Sequence, residues 1–339
     1  MIFVSGRSAT ASSVLRSTAL CLFLFPTLAS AQAWLPFRGE GHLSLIGQHI
    51  RLSGHFDTDG SRLKECAPSS SWVGIAEFEY GLTDKLAFSA RLPYVASRYT
   101  GREDEPCTAE LIQLHHEFQQ QSPHPELTSL DTGSYYATFQ DLNFGVRYNL
   151  LNRGITVTPA IGVTIPSHDY RTVGEAAPGQ NRFALQTGVS LGRLLDPLIP
   201  RAYVHAQYTY SFVQSLLDIS LDRSNAEFEV GYAVTPIVAV RGLAAWQQTH
   251  GGLGYAEVVE RAFGAGGQPT DPEVFLDHDR LLATRYWHVG GGATVTVTDS
   301  LAVDGAVVTF LSGADTHYGV GVTVGVTWKI LSAPRLRSP

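Results

Sequence analysis

The chain has 339 residues, of which 44% are hydrophobic and only 16% charged, and its formal net charge is −7. No nucleic-acid partner is expected of a chain with this acidic balance. Beyond the first 31 residues no apolar run approaches the ~18–20 residues of a membrane-spanning helix, so a helical membrane protein is excluded.

Residues 1–31 carry Arg7 and Arg16, an apolar core from Ala19 to Leu28, and Ala29-Ser30-Ala31 ahead of Gln32. That three-part layout is expected to be a cleaved secretory signal, leaving 32–339 as a single domain. Cleavage removes those two arginines and no acid, which takes the formal net charge from −7 to −9. Cys21 leaves with the signal. The remaining Cys66 and Cys107 are an exported pair, for which one disulfide is expected.

From Gly41 onward, apolar and polar residues alternate in segment after segment. Gly41 to Phe56 is the first, running into the polar cluster Asp57-Thr58-Asp59-Gly60, which begins a loop expected to hold Cys66. Ser71 to Tyr80 is the second, with Trp72, Gly74, Ala76, Phe78 and Tyr80 on one face and Val73, Ile75, Glu77 and Glu79 on the other. After the turn at Gly81–Lys85, a third segment sets Leu86, Phe88, Ala90, Leu92 and Tyr94 against Ala87, Ser89, Arg91 and Pro93. A long polar loop, about 99–134, carries Cys107. The alternation is sharpest at Asp141–Leu150, where Leu142, Phe144, Val146 and Tyr148 oppose Asp141, Asn143, Gly145 and Arg147. Such a strand has one face in oil and one in water.

Further alternating segments run over 155–165, 182–191, 201–212, 226–234, 237–248, 285–298, 301–311 and 317–330. Three junctions share one order, apolar residue, Thr, then Asp or Pro: Leu82-Thr83-Asp84, Val234-Thr235-Pro236 and Val297-Thr298-Asp299. Asp and Pro are turn formers, so these read as tight hairpin turns. The stretch from 249 to 281 reads as a Gly-rich loop.

The fold expected is all-β, an antiparallel up-and-down transmembrane barrel of about 12 strands. Connections after strands two, four, six, eight and ten are short, and those after one, three, five, seven and nine are mostly long and polar. That asymmetry is the one between periplasmic turns and extracellular loops, so both termini are expected in the periplasm and both cysteines on the outside. A soluble sandwich of twelve such strands would have more apolar face than two packed sheets need. Tyr80, Tyr94, Tyr148, Tyr232, Trp246, Trp287, Tyr318 and Trp328, near strand ends, fit interfacial girdles.

With apolar faces toward lipid, alternation sends Glu77, Glu79, Asp141, Glu227 and Glu229 inward, together with Arg91, Arg147, Arg182 and Arg241. The signs nearly balance. These residues are candidates either for ion pairs that hold the barrel's shape or for a polar constriction that selects solutes. Strand number alone leaves conduction open, since twelve lies between filled eight-stranded barrels and open porins. His115, His116 and His124 near Glu117, and His278 between two aspartates, lack metal-site spacing, so no metal or other cofactor is expected. His205 and His288 fall on the polar face and no Gly-x-Ser-x-Gly motif occurs, which argues against a lipid hydrolase.

Several of these segments together resemble one outer-membrane family. The residues that carry the resemblance are Glu79-Tyr80-Gly81-Leu82-Thr83-Asp84-Lys85-Leu86 with Leu92-Pro93-Tyr94-Val95, Asp141 to Tyr148, Glu229 to Pro236, and Ser312 to His317 ahead of Gly325-Val326-Thr327-Trp328. They are similar to the Gram-negative barrels called meta-pathway phenol degradation proteins, and the similarity covers most of the mature chain. It implies an outer-membrane, transporter-like protein associated with aromatic catabolism, with outer-membrane lipids as its surroundings. The motifs are turns and strand ends, so they specify a barrel better than a solute. The tail departs from the barrel pattern of ending on an aromatic residue, continuing from Lys329 to Pro339. Non-reducing mass mapping of the mature protein is expected to find Cys66 joined to Cys107; two free thiols would contradict the pairing.

Overall fold

A computed structural model describes residues 33–99, 130, 133–174, 176–263 and 270–331, with only the backbone of 63–68, 263 and 331. Twelve strands form one antiparallel sheet: β1 Gly41–Phe56, β2 Arg62–Thr83, β3 Leu86–Tyr99, β4, β5 Ile155–Ile165, β6 Ala184–Leu194, β7 Ala202–Val213, β8 Leu221–Ala233, β9 Val238–Gly251, β10 Arg285–Thr298, β11 Leu301–Ala314 and β12 Thr316–Leu331. The fourth runs in three pieces, Tyr136–Phe139, Leu142–Tyr148 and Leu151–Arg153. Each strand pairs with its sequence neighbour, and β12 returns to β1 through pairs such as Leu45 with Val326, closing the sheet. Closure leaves no open edge, the condition for a sheet to lie in hydrocarbon.

The register shows how steeply the strands tilt. Cross-strand partners of Gly41 lead through Tyr80, Phe88, Val146, Ile161, Thr187, Tyr210, Ser224, Gln248 and Arg285 to Ala314. Ala314 lies two residues before Thr316, which pairs with Phe56 at the other end of β1. One circuit therefore climbs roughly 15 residues, which for twelve strands ~4.8 Å apart gives a tilt of about 40° and a backbone diameter of about 24 Å.

The facing follows the alternation. Phe144, Val146 and Tyr148 are exposed on the outer surface, while Arg147 between them is 8% exposed and turned inward. Tyr80, Tyr148, Tyr232 and Trp328 lie at the short-turn ends of their strands, and Tyr94, Trp246, Trp287 and Tyr318 lie toward the other end, giving two aromatic bands. The three repeated turns share a device that is neither the Asp nor the Pro. Thr83, Thr235 and Thr298 each accept a hydrogen bond on their hydroxyl from a backbone N–H two residues on, those of Lys85, Ile237 and Ser300. The threonine hydroxyl, a local acceptor, is the common element.

Two local expectations are corrected. Cys66 belongs to β2, because β1 and β2 continue past a register shift at Leu52/Gly54 and turn only at 57–61, where Gly60 N–H donates to Asp57 O. The Cys66 side chain and Cys107 lie outside the described residues, as do the signal, the histidines at 115, 116 and 124, and the tail beyond 331. Among its described residues the β9–β10 connection holds three short helices, α1 Tyr255–Phe263, α2 Pro272–Leu276 and α3 His278–Leu281. Asp271 caps the second through its side chain on Val274 N–H, with Pro272 at the first helical position, and Glu257 meets Arg261 one turn on in the first.

Both ends of the barrel wall, Gly41 and Leu331, lie side by side at the short-turn end. Phe144 sits near mid-height of the outer face, so Phe144→Arg should cost about 2–4 kcal/mol of barrel stability. Cysteines placed at 144 and 147 provide the check. A lipid-phase reagent is expected to label 144 and spare 147, and the reverse would invert the facing.

Candidate functional site

The lumen has three levels. Nearest the short turns lies a charged belt built from Glu77, Glu79, Arg91, Arg147, Glu227, Glu229 and Arg241, all inward and none more than about six residues from a short turn, ~20 Å along a strand. Glu79 and Arg147 form an ion pair. Arg91 stands opposite Glu77 in the β2–β3 register and within electrostatic reach of Glu227 across the lumen. Its Nε and Nη2 are closed to solvent and have no hydrogen-bond partner among the described residues. The Tyr203 hydroxyl donates to Glu229, and Arg241 lies 3.5 Å from Asp304. Gly231 makes the Tyr203 contact possible, since a Cβ there would lie 2.1 Å from the ring.

The structure brings seven of the nine sequence candidates together. Asp141 and Arg182 stand apart, toward the long-loop end. Asp141 accepts a 2.7 Å bond from the Tyr170 hydroxyl, which itself accepts from Asn181 N–H. Burial, then the charge and hydrogen bond of Asp141, push the Tyr170 hydroxyl well above its ordinary pKa. Arg182 lies within electrostatic reach of Arg280 and Asp277. In place of these two the belt gains Asp304, Tyr203 and His205, the last paired with Glu229 in register. Asp304 was legible in principle as the lone acid in an apolar strand. With it the belt holds five carboxylates, Glu77, Glu79, Glu227, Glu229 and Asp304, against the guanidiniums of Arg91, Arg147 and Arg241. The near balance expected from sequence becomes an excess of negative charge.

Above the belt, one wall of the lumen is apolar, which corrects the expectation of a polar interior. Ile46, Ile50, Leu52, Val73, Ile75, Val95, Tyr286, Val308 and Phe310 pack as one buried cluster on β1–β3 and β10–β11. The inward face of β1 mixes Ser44 and Gln48 with Ile46, Ile50 and Leu52, and its outward face mixes His49 and Arg51 with Leu43 and Leu45, so the alternation there carries no contrast. The facing strands present Thr158, Thr164, Gln186, Ser190 and Gln207 inward, and several of these bond one another, as Gln186 Nε2 does to Thr164 Oγ1.

Both ends are covered. At the long-loop end α1–α3 pack on the β5–β6 and β7–β8 connections through Val173, Phe275 and Leu276 and through Leu216, Leu253, Val258 and Leu281. Arg280 there donates to both Thr172 Oγ1 and Asp277 Oδ1 at 2.7 Å. At the short-turn end residues 33–40 run as a strap from the β5–β7 wall to the β1–β2 wall. Ala33, fully buried, accepts from Thr158 Oγ1 at 2.7 Å, and Trp34 meets Tyr203 edge to face at 6.0 Å. Gly39 N–H donates to Gly81 O, and Glu40 binds Lys329 Nζ at 2.5 Å. Burial works to raise the Glu40 carboxyl, but hydrogen bonds from Lys329 and His42 outweigh it and hold the group below its ordinary pKa.

No protein-family profile matches the chain, and no characterised protein matches it in sequence. Solved structures do share its architecture. An outer-membrane channel from Pseudomonas putida F1 aligns over 89% of this chain and 99% of its own with a TM-score of 0.62, at 12% identity. The NanC porin covers 85% and 100% at a TM-score of 0.46 and 9% identity, and the CymD monoaromatic hydrocarbon channel covers 87% and 89% at 0.40 and 10%. The first of these shares the fold; the other two overlap more loosely.

Gly192 leaves the space that the strap fills, since a Cβ there would lie 2.6 Å from the Ala33 Cβ and 2.8 Å from the Trp34 ring. Gly192→Val is expected to expel the strap from the β6 wall and raise bilayer conductance severalfold, while the barrel still resists unheated detergent. Unchanged conductance in a folded variant would mean that the strap does not narrow the lumen.

Proposed function

We propose that this protein is a passive channel of the Gram-negative outer membrane, exported by its first 31 residues and placed with the long loops outside. Its solutes are small and aromatic or otherwise weakly soluble. The observation that carries this reading is the apolar wall of Ile46, Ile50, Val73, Ile75, Val308 and Phe310 inside a closed barrel. A barrel that served only as a wall would be expected to fill its interior with paired polar side chains, whereas an apolar lane beside a hydrogen-bonding wall suits a solute with a ring and a polar group. The belt beneath the lane narrows the path and sets its charge preference, with Arg91 as a guanidinium set between Glu77 and Glu227. The chain's resemblance to the meta-pathway phenol degradation barrels supports phenols and aromatic acids as first solutes to test.

Movement is down a gradient, because a lone barrel holds no energy source of its own. A second reading, a non-conducting structural barrel, is favoured by the cover at both ends. Uptake at low external solute, where the outer membrane limits the rate, separates the two. Cells carrying the gene are expected to take up a phenol or aromatic acid faster than cells without it. In bilayers the belt should give a weak cation preference that strengthens in Arg91→Gln or Arg147→Gln. Equal uptake of every aromatic tried, with no conductance even when the strap is displaced, would leave the structural reading standing.

A further inference from the structure

The outer face of β1–β3 departs from the apolar surface around it at the long-loop end. In one hydrogen-bonded row, Arg51 pairs with Ser70 and Ser70 with Arg98, all three outward by parity. Arg51 is exposed and has no hydrogen bond or ion pair among the described residues. Arg98 lies over the Tyr135 ring at 4.6 Å, and its Nε has no hydrogen-bond partner among the described residues. Ser70 Oγ links His49 Nε2 at 3.0 Å to the Tyr135 hydroxyl at 3.4 Å. Arg62, in the same quarter of the rim, is different, since its Nη2 is already committed to Phe310 O and Leu311 O.

One row nearer mid-membrane, His49 pairs with Trp72 and Trp72 with Ala96, the imidazole lying 4.3 Å from the indole. Below that come Gly47 and Gly74, paired with each other, with Tyr94 beside Gly74 in the same row and packed against Phe139 at 5.0 Å. A Cβ built on Gly47 or Gly74 would have no heavy atom nearer than 4.0 Å, so the outer surface dips into a shallow furrow beneath Trp72 and beside Tyr94. The backbones that carry the two arginines thus stand about 10 Å apart, two strand spacings, with the His49–Trp72 row between them and the apolar furrow.

From this arrangement we infer that the outer face of β1–β3 binds the phosphorylated headgroup of an outer-leaflet glycolipid, with one of its acyl chains lying along the Gly47–Gly74 furrow. Guanidinium pairs with phosphate bidentately, and Arg at this depth is tolerated because the phosphate layer supplies the counter-charge. Trp72 and Tyr135 sit where amphipathic rings favour the interface. Two cations at this spacing fit a headgroup with two phosphates better than a phospholipid with one. The inference rests on the proposed orientation, long loops outward, and does not depend on whether the lumen conducts.

The test uses the full chain purified from native outer membranes, with phosphorylated glycolipid per protein counted by native mass spectrometry after detergent exchange. Wild type is expected to retain about one equivalent, and Arg51→Ala with Arg98→Ala to retain about tenfold less, as loss of a charge-assisted pair implies. Arg51→Lys with Arg98→Lys should keep an intermediate amount, and Arg285→Ala, a lone outward cation at the same end of β10, should keep the wild-type amount. Resistance to unheated detergent reports whether each variant is folded. Lipid A added to delipidated protein should raise its melting temperature, while dephosphorylated lipid A, phosphatidylglycerol and inorganic phosphate should not. Equal retention by wild type and the folded double alanine variant would overturn the site. An equal response to phosphatidylglycerol would overturn the glycolipid assignment, and would point instead to a patch facing the phospholipid leaflet. Bilayer conductance of the same samples reports separately on the channel.

Discussion

Everything in this molecule depends on the closing pairs between β1 and β12. A sheet in hydrocarbon has no water to satisfy its edge, so the hydrogen bonds from Leu43–Trp328 to Leu52–Gly319 settle the whole chain's geometry at once. Closure with a climb of roughly 15 residues sets the tilt and diameter. Those in turn decide which inward side chains meet. Glu227 reaches Arg91 across the lumen because the belt residues come to one level only after the tilt is applied.

Inside that frame, small residues matter as much as charged ones. Gly231 admits the Tyr203 ring and Gly192 the strap, so the belt and its floor are positioned by absent side chains. The apolar lane stands on the opposite side of the problem. Burying Ile50, Val308 and Phe310 against one another removes apolar surface from water along one wall of the interior. A polar wall, an apolar wall and a narrow charged floor together describe a conduit for molecules with both characters, which is the basis of the functional proposal.

Much of the barrel was legible from a period of two. Phe144 against Arg147 is correct as read, because each strand residue has only two sides to choose from and one of them is lipid. The turns were found, although the hydroxyls of Thr83, Thr235 and Thr298 do the bonding. Seven of the nine inward candidates converge for the same reason, while Asp141 and Arg182 do not, because height along a tilted strand cannot be read from parity. The apolar wall escaped since both faces of β1 mix apolar and polar residues, Gln48 among Ile46 and Ile50 inside and Arg51 beyond Leu45 outside, leaving alternation without contrast. The helices escaped because their signals, Asp271-Pro272 and the Glu257–Arg261 spacing, lie in a stretch whose glycines suggested loop. The strap could not have been foreseen, as nothing in Trp34 reveals that its partner is Tyr203, far along the chain.

The central claim is that solutes pass through the lumen along the apolar wall, and obstruction of that wall tests it most directly. In a chain with Cys66 and Cys107 changed to Ser, a cysteine at position 50 faces the lumen, and one at 144 faces lipid. Solute flux through liposomes is measured before and after a bulky thiol reagent, with labelling of each site verified by mass. Flux is expected to collapse when position 50 is labelled and to persist when 144 is. Flux that survives complete labelling at 50 would contradict the lumen as the route.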